Sequence, residues 1–190
     1  NIKVNGKFSQ NLIKNDIVIL AINAGKNVDN FFYKNIKSLK KTKYLIDLGN
    51  NHPEDTLRRY YFLKKRKIKY INPGFSGGIE GAKGKASLML SCDKKELEYL
   101  SNLFSVISGN KKSSLKLIGK KPHAGNYVKI VHNSIEYSIL QSLADYYFIL
   151  KNFKKITNQK ILIEISYIEK ILKNFYLLDI FKRIILKKIN

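Results

Sequence analysis

Short apolar runs alternate with amphipathic stretches up to about residue 123, and from Ala124 helical periodicity takes over. Ile17 to Ile22 is a near-continuous apolar run flanked by Asp16 and Asn23, as expected for a buried parallel strand. Ala24-Gly25 then turns the chain into a helix expected from about Val28 to Lys40. Tyr44 to Leu48 reads as a second short strand, ending in Gly49-Asn50-Asn51. His52-Pro53-Glu54-Asp55 follows, and proline with acidic residues suits the start of a helix, here expected to reach about Arg66. Ile68 to Ile71 is a third strand, so the order strand, helix, strand, helix, strand predicts right-handed βαβ crossovers in an α/β sheet. Further on, Ser87 to Ser91 reads as a strand, Asp93 to Val106 as a helix with Asp93 at its N-cap, and Ser114 to Ile118 as a last strand. A long helix is expected from Ala124 to about Phe153, and a Lys-rich helical stretch after the polar break Lys154 to Gln159. Its final part, Ile180 to Lys188, reads as a helix whose packing partner is missing rather than one lying on a membrane surface. A short helix is also expected around Phe8 to Lys14. The division this gives is an α/β domain over residues 1–123 and the start of an all-helical domain over residues 124–190.

Two stretches carry candidate chemistry. Pro73 to Gly84 holds five glycines in twelve positions, just past the third strand, where open α/β sheets place their ligands. Glycine permits close backbone approach and positive φ, and consecutive N–H groups there can cradle a carboxylate or phosphate; a plain flexible loop is the competing reading. The spacing of Gly74, Gly77, Gly78 and Gly81 is not the G-x-G-x-x-G of a dinucleotide turn. In the second stretch, Gly125 to Gln141, Lys129, His132, Asn133, Glu136 and Tyr137 fall at roughly 0, 300, 40, 340 and 80° around a helix. Val128, Val131, Ile135 and Ile139 fall at roughly 200–280°. The expectation is a helix that buries its apolar stripe and presents the polar set, with a solvated polar stripe as the plain alternative.

Composition narrows the partners. The formal charge is +22, which invites a polyanion reading. However, 32 Lys stand against 4 Arg, beside 19 Asn and 26 Ile, a balance that A/T-rich codon bias alone could produce, and base readers favour the arginine fork. No specific nucleic acid is expected. No apolar run approaches a membrane span and no signal-peptide pattern opens the chain, so the expectation is no membrane partner and a cytoplasmic location. Cys92 is the only cysteine; it reads as a small buried residue, and no metal site is indicated.

With the motifs in view, the sequence resembles the decarboxylating 6-phosphogluconate dehydrogenases of the wider 3-hydroxyacid dehydrogenase superfamily. Three blocks carry the resemblance: Asp47-Leu48-Gly49-Asn50 with Asp55-Thr56 and Arg58-Arg59; Gly74 to Ala82 with Ser87-Leu88-Met89; and Val128-Lys129-Ile130-Val131-His132-Asn133-Ser134-Ile135-Glu136-Tyr137. It implies a Rossmann-like α/β domain missing its first βαβ unit, then an incomplete helical domain that makes a homodimer in the full-length form. It also implies oxidation of 6-phosphogluconate with NADP and loss of CO₂ to give ribulose 5-phosphate. Lys129 would be the general base, which requires a pKa near about 7 to 8, and Glu136 the acid that protonates C1. Seven residues of helix separate the two by about 10 Å of rise, so they can address different carbons. Ser76, Gly77 and Gly78 would hold the carboxylate end, His132 and Asn133 the hydroxyls, and Tyr137 the phosphate. Asn50 would lie between substrate and nicotinamide, and Ile22, Asn23 and Ala24 beside the cofactor. The chain departs from the family pattern at Asn23, where a lysine is usual, at Lys85-Ala86 in place of Gly-Pro, and at Leu90-Ser91-Cys92 in place of Pro-Gly-Gly. With Asn1 in place of a Met and no G-x-G-x-x-G turn, the expectation is an internal fragment or a decayed copy of a longer enzyme. A 3-hydroxyisobutyrate-type dehydrogenase and a non-catalytic basic binding protein are the alternatives.

Overall fold

The computed structural model describes residues 16–109, 112–172 and 176–187, so the helix expected around Phe8 to Lys14 lies outside the described residues. The first three apolar runs form parallel strands β1 (Ile17–Leu20), β2 (Tyr44–Asp47) and β3 (Lys69–Ile71), hydrogen-bonded in the order β1-β2-β3. Helices α1 (Lys26–Asn35) and α2 (Pro53–Lys64) connect them. Both faces of this sheet are covered, because successive strand side chains point to opposite sides. Leu45 and Tyr70 pack with Val28, Phe32, Leu39 and Leu63 on one face. Ile46 and Ile71 pack on the other with Leu88, Leu90, Leu100 and Phe104. The start of α2 follows its local chemistry: the His52 side chain accepts the Glu54 N–H, Pro53 opens the helix, and Glu54 and Asp55 lie in the first turn.

The glycine-rich stretch is more ordered than a loop. Gly74–Ser76 is a strand, β4, antiparallel to β5 (Ser87–Ser91), and β5 pairs parallel with β6 (Leu115–Gly119). Between β4 and β5 lie the short turn α3 (Gly78–Glu80) and a wider helical turn over Gly81–Lys85. The helix expected over Asp93 to Val106 is two, α4 (Lys94–Tyr99) and α5 (Ser101–Ile107). Leu100 breaks them with non-helical φ −96° and ψ 6° while its side chain is drawn into the core. At the start of α4 the Glu96 carboxylate accepts the Asp93 N–H at 3.0 Å, as in a capping box. Cys92 is buried, and desolvation pushes its thiol up to about 11.

A long helix, α6 (Ala124–Asn152), follows, then α7 (Asn158–Leu172) and α8 (Tyr176–Leu186). The chain forms two compact units, Asn1–Ile130 and Val131–Asn190. The second has an apolar core of Ile161, Ile165, Leu178, Phe181 and Ile185, with Leu143, Tyr147 and Leu150 of α6 against it. This corrects the expectation for the last helical segment: α8 has a packing partner in α7. No helix among the described residues is long and apolar enough to cross a membrane.

Candidate active site

The carboxyl ends of β2 and β3 converge on a buried polar network. Asp47, the last residue of β2, is an acid at the end of an apolar strand, and its carboxylate accepts from Gly49 N–H at 2.9 Å, Tyr70 OH at 2.8 Å and Asn51 Nδ2 at 3.0 Å. Burial pushes the Asp47 carboxyl upward, and these hydrogen bonds and the Arg59 charge act against that shift. Asn72, which follows β3, donates to the carbonyls of Asp47 and Gly49 at 2.6 and 2.8 Å and accepts from Thr56 Oγ1 at 2.8 Å. Arg59, 1% exposed, closes the network on the helical side by donating to Asn51, the Gly25 carbonyl and Asp29. The Arg59 hydrogen bond holds Asp29 down to about 2, with burial opposing it and Arg58 adding to it. Every one of these groups is bonded because an unpaired buried polar group is costly.

On this base sits the start of α6. Asn126 donates to Asn72 Oδ1 at 3.0 Å, and the Gly125 N–H, which has no partner within its own helix, donates to Ser91 Oγ at 2.6 Å. The backbone of α6 touches the strands directly: a Cβ on Gly125 would overlap the Met89 carbonyl oxygen, and one on Gly74 would overlap the Gly125 carbonyl oxygen. Gly125 and Asn126 therefore face inward, and residues three and four positions on share their face. Lys129 is consequently the enclosed residue, 8% exposed, and its Nζ donates to Ser76 Oγ at 2.8 Å.

The expected polarity of α6 is thus reversed at its beginning. The stripe expected to be buried is largely open: Val128, Val131 and Ile135 are exposed, the last two by 57% and 58%, and Ile139 is half-buried. Of the polar side, Lys129 alone is buried, held there by the close backbone packing at Gly125; Asn133 and Glu136 are half-buried, and His132 and Tyr137 are exposed.

The remaining expected residues fall in three groups. Gly77 and Gly78 follow Ser76 and are exposed; Gly77 has φ 138°, and a Cβ there would run into the Gly81 backbone. Asn50 is exposed in the turn after β2, where its side chain accepts the Phe75 N–H at 3.3 Å. Ile22, Asn23 and Ala24 are exposed past the end of β1. In the second unit, His132 Nδ1 lies 3.3 Å from Asn133 Oδ1 and 3.6 Å from Glu136 Oε2, and Tyr137 is 61% exposed. Inspection of the sequence singles out none of Asn72, Asn126 or Arg59 as site builders. The available signal is a polar residue where a strand ends, as at Asp47 and Asn72.

Known proteins match the chain in sequence and fold. The family model described as the NAD binding domain of 6-phosphogluconate dehydrogenase matches residues 2–119, and that of the 6-phosphogluconate dehydrogenase C-terminal domain matches residues 125–190. The chain belongs to the 6-phosphogluconate dehydrogenase family. It is similar to the decarboxylating 6-phosphogluconate dehydrogenase of Buchnera aphidicola subsp. Acyrthosiphon pisum, 34% identical over 95% of this chain and 39% of the relative. It is also similar to decarboxylating 6-phosphogluconate dehydrogenase 1 of Saccharomyces cerevisiae, 36% identical over 76% of this chain and 30% of the relative. The chain therefore spans well under half the length of these relatives. Among solved structures, Plasmodium falciparum 6-phosphogluconate dehydrogenase, described in apo form and in complexes with NADP+ and with 6-phosphogluconate, matches with a TM-score of 0.76 and 32% identity, over 89% of this chain and 36% of that one. The Mycobacterium tuberculosis 3-hydroxyisobutyrate dehydrogenase shares the fold, at a TM-score of 0.71 and 15% identity.

Proposed function

We propose that this 6-phosphogluconate dehydrogenase chain carries the substrate-handling residues for oxidative decarboxylation of 6-phosphogluconate to ribulose 5-phosphate. The observation that carries the reading is the enclosed Lys129 amine on Ser76, beside the Gly77-Gly78 backbone and above the polar network. An amine held out of bulk water and fixed by a hydroxyl is placed to take the proton of the substrate 3-hydroxyl. Once charged, the same ammonium donates to the keto oxygen that forms and holds the negative charge that builds there as CO₂ leaves. Glu136 returns a proton to C1 of the enediol, and His132, alongside it, binds a hydroxyl with Asn133. Ser76, Gly77 and Gly78 hold the carboxylate end and Tyr137 the phosphate.

NADP is the cofactor in this reading, and it supplies the hydride acceptor when bound. The residues present suit its nicotinamide end: Ile22 offers an exposed apolar side chain, and Asn23 and Asn50 offer exposed amides past the ends of adjacent parallel strands. Asn50 is already oriented by its bond to the Phe75 N–H. A functional boundary between residues 123 and 124, a cytoplasmic location and a homodimer formed through the helical domain belong to the same proposal, the last supported by the open Val131 and Ile135.

Calorimetric titration of 6-phosphogluconate at moderate salt, with gluconate as control, tests the reading. Saturable binding that prefers the phosphorylated acid and weakens in Lys129→Ala is the expected outcome. Equal, salt-screened binding of any polyanion, unchanged in Lys129→Ala, would refute it.

A further inference from the structure

We propose that Asn72, Asn126 and Ser91 form a two-point clamp on the first turn of α6, fixing its rotation so that Lys129 meets Ser76. They are positioning residues, and their part in the reaction rests on the role given to Lys129 above.

The first point begins with Asn72, whose side chain has a single usable orientation. Its Nδ2 donates to the backbone carbonyls of Asp47 and Gly49, which can only accept. Its Oδ1 must therefore face donors, and three converge on it: Thr56 Oγ1 at 2.8 Å, Asn126 Nδ2 at 3.0 Å and Asn51 Nδ2 at 3.3 Å. Asn126 is forced in turn to present its amide N–H, which leaves its own Oδ1 buried and without a hydrogen-bond partner among the described residues. An apolar side chain of similar size would avoid that unsatisfied oxygen. The bond is thus poorly explained as a source of stability and well explained as a fixed point.

The second point is one residue away, where the Gly125 N–H donates to Ser91 Oγ at 2.6 Å. Ser91 ends β5 and Asn72 follows β3, so the two contacts reach α6 from the ends of different strands. A helix held by one hydrogen bond can swivel about it; one held by two, from separate strand ends, cannot. Lys129 is four residues past Gly125 and three past Asn126, on the face that both define. The network that closes the ends of β2 and β3 is thereby coupled through one amide to the placement of the base.

The test reads Lys129 without any ligand. In the chain carrying an NMR-active nitrogen label on lysine, the Lys129 side-chain amine signal is identified by its loss in Lys129→Ala. Asn126→Ser and Ser91→Ala are each expected to move that signal into the envelope of solvent-exposed lysines. Thr56→Val, which removes another donor to the same Asn72 oxygen, and Leu39→Ala, which destabilises a distant core, are expected to leave it in place. In parallel, Asn126→Ser is expected to weaken 6-phosphogluconate binding by roughly tenfold. A Lys129 signal that stays put in both clamp variants overturns the proposal, as does one that moves equally in Leu39→Ala. A signal that moves as expected while Lys129→Ala binds 6-phosphogluconate like the native chain sustains the clamp and refutes the role assigned to Lys129 instead.

Discussion

Lys129 and Glu136 lie on one helix, and their settings differ. Lys129 is enclosed, bonded to Ser76, on a helix turn anchored to a network in which Asp47, Asn51, Thr56, Arg59 and Asn72 are all buried and mutually bonded. Glu136 is half-buried beside an exposed His132, and the core of its own unit is purely aliphatic and aromatic. Buried polar groups admit few arrangements that satisfy every donor and acceptor, so the first setting specifies geometry. Apolar cores tolerate repacking. Lys129 is thus placed by bonds to residues distant in sequence, whereas the contact shown for Glu136 is to His132, one turn away on the same helix.

That contrast can be attacked at several strengths. Arg59→Leu removes a buried charge from Asp29, Asn51 and the Gly25 carbonyl and is expected to cost about 3–5 kcal/mol, read as a lowered denaturant midpoint; Glu136→Gln should change stability by less than about 0.5 kcal/mol. Gly125→Ala comes next. In an exposed helix the change would stabilise by about 1 kcal/mol, but here the methyl meets the Met89 carbonyl, so a loss of about 3 kcal/mol is expected, together with loss of the Lys129–Ser76 contact.

A pH effect of about 2 kcal/mol follows from Asp29. Its carboxyl is depressed from 3.8 to about 2, with the Arg59 hydrogen bond as the largest cause. A depressed carboxyl contributes stability above its unfolded value and loses it as pH falls toward the folded one. The melting temperature should therefore drop between about pH 4 and pH 2, and Asp29→Asn should flatten that part of the profile. The smallest effect is expected at Ile135→Ser, within about 0.5 kcal/mol, because this aliphatic side chain is open. A loss above about 2 kcal/mol would mean the stripe is buried after all.

The sequence makes this fold legible wherever period and burial agree. β1, β2, β3, β5 and β6 fall within a residue or two of the apolar runs that predict them, and Pro53 and Asp93 mark helix starts through local chemistry alone. It misleads where tertiary contact overrides pattern. The Val128, Val131 and Ile135 stripe has the right spacing for burial, yet the side of α6 that meets the strands is the one where Gly125, with no side chain at all, lets the backbones touch. Ser76 and Lys129 can be picked out from their motifs, but their contact across 53 positions cannot. Asn72 and Asn126 carry no motif; their significance lies in hydrogen bonds between residues 54 apart.

In the proposed function the Lys129–Ser76 pair acts as one substrate-binding unit. A double-mutant cycle on 6-phosphogluconate affinity, comparing the native chain with Lys129→Ala, Ser76→Ala and the double variant, tests it most directly. Each single change is expected to weaken binding and the double change to cost clearly less than their sum, with a coupling of about 1 kcal/mol or more. Losses that add in full, or single variants that bind like the native chain, would contradict it.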